Sequence, residues 1–79
     1  MSLADVLDAY PEETFLTADG FDDCIIGVSN DLRLVYDREL IIHKLMDEMS
    51  FDDAIEYYEF NIESAFVGPQ TPIFVELVR

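Results

Sequence analysis

Basic residues are scarce in this chain: four Lys and Arg stand against eighteen Asp and Glu, a formal charge of −14 over 79 residues. Such a surface repels nucleic-acid phosphate and anionic lipid alike, which argues against direct DNA or RNA binding and against attachment to a membrane. Cysteine occurs once, as Cys24, so no disulfide can form within the chain and a thiolate metal centre has no ligand set. The apolar run Cys24-Ile25-Ile26 marks that cysteine as a small buried hydrophobe. No apolar stretch nears the ~20 residues needed to span a bilayer, and the N-terminus lacks the basic-then-apolar pattern of a secretory leader. The expected address is the cytoplasm. The three glycines form no phosphate-cradling loop. The one histidine, His43, has no motif linking it to Ser29, Ser50 or Cys24 as a nucleophile. An ion pair with Glu39 and Asp47, four residues to either side, accounts for it more simply. These absences weigh against an enzyme without excluding one, and no cofactor is called for.

What the chain does have is apolar mass, with 51% hydrophobic and 13% aromatic residues. A chain of this length holds one core, so residues 1–79 read as a single acidic domain. Apolar surface beyond what that core can cover either stays exposed or packs against another copy, which keeps a homo-oligomer among the expectations.

Ser2-Leu3-Ala4-Asp5 has the form of a capping box, and Leu3, Val6, Leu7 and Tyr10 follow on one helical face until Pro11 stops the helix. Thr14 to Thr17 reads as a short strand, followed by the turn-forming loop Ala18 to Asp23. Cys24 to Val28 and Leu32 to Tyr36 read as hairpin arms joined by Ser29-Asn30-Asp31, with Leu32, Leu34 and Tyr36 on one face. Gly27 inside the first arm signals a bulge or a close backbone approach. Asp37 caps a helix whose apolar set is Ile41, Ile42, Leu45, Met46 and Met49. Ser50 caps another, with Phe51, Ile55, Tyr58, Ile62 and Ala65 as its core stripe. Gly68-Pro69 breaks the chain, and Pro72 to Val78 reads as a last strand with Ile73, Val75 and Leu77 on one face. The predicted order is α-β-β-β-α-α-β. It implies an α+β fold with a sheet of about four strands, antiparallel or mixed, covered by two to three helices.

The run Ala54-Ile55-Glu56-Tyr57-Tyr58-Glu59-Phe60-Asn61, continued by Val67-Gly68-Pro69-Gln70-Thr71-Pro72-Ile73-Phe74, resembles a group of small bacteriophage and bacterial proteins whose C-terminal half carries an EYxEFN…GAxVGExTPIF pattern. Asp19-Gly20-Phe21-Asp22-Asp23, Ile25 to Val28 and Val35-Tyr36-Asp37 match the same group, so the resemblance covers most of the chain from Asp19 onward. Two positions depart from the pattern: Ser64 replaces its glycine, and Pro69 replaces a glutamate. The resemblance implies a phage-type origin, hence the host cytoplasm, and a single domain. It implies no reaction.

Three residue sets are candidates for function. Asp19, Asp22 and Asp23 cluster in one loop and could offer oxygens to a hard cation, although a solvated Asp-Gly turn explains them more simply. Asp52, Glu56, Glu59 and Glu63 recur at helical spacing as a row of carboxylates, with no Lys or Arg between Leu45 and Val78 to offset them. This row is either the wet face of an amphipathic helix or an anionic ridge that docks a basic protein or imitates a nucleic-acid backbone. Tyr57, Asn61, Gln70 and Thr71 make a polar pocket or interface, in which Asn61 is expected to bond the loop Gly68 to Thr71. The function these features imply is an interaction module for a basic host or phage protein. A metal- or small-molecule-binding protein or enzyme built on the Asp loop, or a purely structural homo-oligomer, are the alternatives.

Overall fold

The computed structural model describes residues 1–65 and 67–78. Helix α1 (Leu3–Ala9) starts with the capping box: the Ser2 hydroxyl accepts from the Asp5 amide at 3.3 Å and the Asp5 carboxylate from the Ser2 amide at 3.0 Å. Two otherwise orphaned donors are thereby satisfied. Only Val6 of its apolar face is fully buried; Leu7 and Tyr10 remain exposed.

No strand forms at Thr14 to Thr17. Phe15 packs edge-on against Tyr10, with ring centroids 6.1 Å apart. The Ala18 amide donates to the Tyr36 hydroxyl at 2.8 Å, not to a neighbouring strand. Gly20 then turns the chain with φ +90°, a conformation that a side chain would strain. A short 3₁₀ turn (Asp22–Cys24) leads into the sheet.

Strand β1 (Ile25–Val28) pairs antiparallel with β2 (Leu34–Asp37), and β2 pairs parallel with β3 (Ile73–Val75). Among the described residues the sheet is therefore mixed and three-stranded, in the order β1-β2-β3. The register slips between Ile25 and Gly27, so Ile26 is the extra residue of a bulge. Ile25 and Val28 lie an odd number of residues apart and would otherwise face opposite sides. The bulge lets both meet the core, opposite Tyr36 and Leu34. The hairpin loop closes with Ser29 and Arg33 bonded, and Leu32 takes φ +60°, the left-handed position that such loops usually give to glycine.

Asp37 ends β2 and caps α2 (Arg38–Leu45), accepting from the Glu39 amide at 2.9 Å. Ser50 caps α3 (Phe51–Tyr58) through the Asp53 amide. Helix α2 buries Ile41 and Ile42, while Met46 lies past its last turn and is exposed. In α3 the fully buried residues are Ala54 and Tyr58, Ile55 is half-buried and Phe51 is exposed; past its end Ile62 is half-buried and Ala65 exposed. The helix is thus rotated from the expected stripe: the small Ala54 and the large Tyr58 enter the core, where the Tyr58 ring meets Phe74 of β3.

After Tyr58 the helix widens into a π turn (Glu59–Glu63). The Asn61 amide and the Ser64 hydroxyl donate back to the Tyr57 and Phe60 carbonyls, at 3.1 and 2.8 Å. Gly68, with φ +124°, turns the chain toward β3. Thr71 holds that turn: its hydroxyl donates to the Gly68 carbonyl at 2.7 Å and accepts from the Val67 amide at 2.9 Å. Its carbonyl takes the Arg33 Nε–H at 2.7 Å, tying the turn to the hairpin. Phe74 is the β3 side chain that meets the core. It stacks on Tyr36 at 5.5 Å and meets Tyr58 edge-on at 5.9 Å.

The structure thus keeps the α+β class and the helices, and corrects the strand count from four to three in the described residues.

Candidate functional site

Helix α3 and the π turn carry the most distinctive surface. Asp52, Glu56, Glu59 and Glu63 are all exposed along them. They do not form one straight row, because the wider winding of the π turn carries Glu63 out of line with the α-helical positions. The described cations are all engaged elsewhere. Lys44 pairs with Asp23 at 2.9 Å, Arg33 lies 3.7 Å from Asp31, and the Arg38 guanidinium sits 5.5 Å from the centre of the Tyr58 ring. The carboxylates of α3 and the π turn therefore have no described ion-pair partner.

Large apolar side chains share this face. Phe60 is 74% exposed and Tyr57 45%. Tyr57 stands as a ridge between two hollows. On one side lies a shallow depression edged by Met49, Glu56 and Phe60. On the other is a groove of about 290 Å³ floored by Phe21, Ile62, Pro72 and Phe74. Asp19 and Asn61 stand at this groove with Tyr57, so residues from the acidic loop and from the π turn meet here.

The remaining candidates are dispersed. Asn61 bonds the Tyr57 carbonyl and not the Gly68 to Thr71 loop. Thr71 is buried as the clasp of that loop, and Gln70 does not line the groove. Asp19, Asp22 and Asp23 do not converge: Asp23 faces Lys44, and Asp19 accepts only a long bond from the Thr17 hydroxyl at 3.5 Å. Among the described residues no group of three or more His, Cys, Asp or Glu could hold a metal ion. His43 is exposed on α2, and no ion pair joins it to Glu39 or Asp47 among the described residues.

Burial, reinforced by the Asp23 carboxylate, pushes the Cys24 thiol up to about 11, which makes it a poor nucleophile near neutrality. Burial likewise pushes the Tyr58 phenol up to about 12, with the Glu63 carboxylate adding to the effect. Lys44 holds the Asp23 carboxyl below the usual range.

Phe21, Phe60, Pro72 and Phe74 escaped the sequence reading of the site. Phe60 was accessible to it, since its position on the helix adjoins the acidic residues. The others depend on how distant segments meet. Among the described residues no helix is long and apolar enough to cross a membrane. No protein-family model matches this chain, nor does any curated protein or solved structure match it significantly.

Proposed function

We propose that this chain is a protein-interaction module that binds a basic protein through the acidic and aromatic face of α3 and the π turn. The observation that carries the reading is the exposure of Phe60 and Tyr57 among carboxylates that have no described cationic partner. Exposed aromatic anchors inside a charged rim are the usual makings of a protein interface. Carboxylates around them speed encounter with a basic partner and deter an acidic one. The likeness to phage and bacterial proteins makes a host or phage protein the natural partner, met in the host cytoplasm.

Affinity capture from host lysate tests this, run in parallel with the wild type and a Glu56→Lys/Glu59→Lys variant. The expected result is a basic protein retained by the wild type, lost from the variant and eluted by salt. Retention of the same proteins by both, or of nothing by the wild type at low salt, would overturn the proposal.

A narrower reading, nucleic-acid mimicry, draws support from the exposed Asp52, Glu56, Glu59 and Glu63, spread over about 16 Å of helix at 1.5 Å rise per residue. It expects the wild type, but not the charge-reversed variant, to compete with duplex DNA for the captured protein.

A further inference from the structure

The groove beside Tyr57 has the chemistry to take one particular side chain. Its floor is apolar, made by Phe21, Ile62, Pro72 and Phe74. Its polar rim includes a carboxylate, Asp19, and an amide, Asn61, and among the described residues no Lys or Arg lines it. The Asn61 Nδ2 group donates one of its two hydrogens to the Tyr57 carbonyl, which sets the orientation of the amide and leaves its oxygen as an acceptor. Asp19 is similarly underused, holding one long bond to Thr17. The exposed Tyr57 ring forms a wall.

A guest suited to these surroundings has an apolar stem, a positive end, and a flat donor group that can lie on a ring while bonding an oxygen. Arginine meets all three conditions; lysine lacks the flat fork. The chain already uses the same pairing internally, where Arg38 lies over the neighbouring Tyr58. The volume of about 290 Å³ is near the lower limit of the ~300–1,000 Å³ usual for free small ligands, and suits a single long side chain. We infer that this groove receives an arginine side chain of the basic partner, with its guanidinium over Tyr57 and against Asp19 and the Asn61 oxygen. The inference rests on the proposed binding of a basic protein and names the residue that would anchor it.

Calorimetric titration with a hexa-arginine peptide and a hexa-lysine peptide, at physiological ionic strength, tests it. Hexa-arginine should bind more tightly than hexa-lysine. Tyr57→Leu, which keeps apolar bulk but removes the ring, should weaken hexa-arginine binding ~5-fold, and Tyr57→Phe should restore it. Asp19→Asn should weaken it ~3-fold, while Asp8→Asn, the same charge change on α1 outside the groove, should cost under ~1.5-fold. If Asp19→Asn and Asp8→Asn weaken binding equally and Tyr57→Leu changes nothing, the groove is refuted and diffuse attraction to a basic partner survives. If hexa-arginine does not bind even at low salt, the basic-partner reading falls, and the groove assignment with it.

Discussion

Tyr58 places a hydroxyl inside the domain without a hydrogen-bond partner among the described residues. The residue is 0% exposed. Its ring, by contrast, is fully used, edge-on to Phe74 and beneath Arg38. Stripping water from a hydroxyl without replacing its bond costs about 1–3 kcal/mol. Tyr58→Phe removes that cost and keeps the ring contacts, so it should stabilise the fold by about 1 kcal/mol, or about 4–8 °C in Tm for a domain of this size. Urea unfolding followed by circular dichroism measures the gain as a higher midpoint at an unchanged slope.

The same substitution has a signature at alkaline pH. The phenol is raised from 10.0 to about 12 in the fold, so the folded state holds its proton more tightly than the unfolded chain does. Its contribution is complete below 10 and is lost as pH rises toward about 12. The variant should lose this part of the alkaline decline, although Tyr36, whose phenol burial also raises, will keep its own. A loss of 1 kcal/mol or more in Tyr58→Phe, roughly the worth of one satisfied hydrogen bond, would refute the reasoning, since the hydroxyl must then have a partner.

Further outcomes follow from other positions. Thr71→Val removes the donor to the Gly68 carbonyl and the acceptor for the Val67 amide, and should cost about 1–3 kcal/mol in urea unfolding. Leu32, at φ +60°, should accept Asn within about 0.5 kcal/mol, because Asn tolerates the left-handed region. Leu32→Val should lose about 1–2 kcal/mol in the same assay, because a β-branched residue does not. With a net charge of −14, the fold repels itself, so thermal unfolding should move upward from low to physiological ionic strength. A Tm indifferent to salt would contradict that expectation.

The local features of the chain were legible before any packing was known. Ser2, Asp37 and Ser50 all cap the helices they precede, because a capping side chain answers to amides two or three residues away. Gly20 takes the positive φ expected of an Asp-Gly turn, and the bulge signalled by Gly27 sits beside it. Legibility ended where a residue's fate depended on a remote partner. Thr14 to Thr17 has strand-like residues, but a strand needs a neighbour, and the Ala18 amide found the Tyr36 hydroxyl instead. Phe51 fits a helical apolar stripe, yet the core admits Ala54 and Tyr58 and leaves Phe51 in water. In β3, alternation offered two faces, and only the rings of Tyr36 and Tyr58 decide that Phe74 points inward.

The candidate site divides in the same way. That it would be acidic, and that Tyr57 and Asn61 would stand together one turn apart, follows from composition and helical spacing. Composition and short-range period act through neighbours along the chain, and a sequence displays them directly. Only the folded chain brings Asp19 and Phe21 to Tyr57 and Phe74, because that meeting depends on β3 lying beside β2 and on Gly68 and Thr71 turning the chain to put it there. Burial is rewarded between segments far apart in sequence, and no local pattern states which of them will touch.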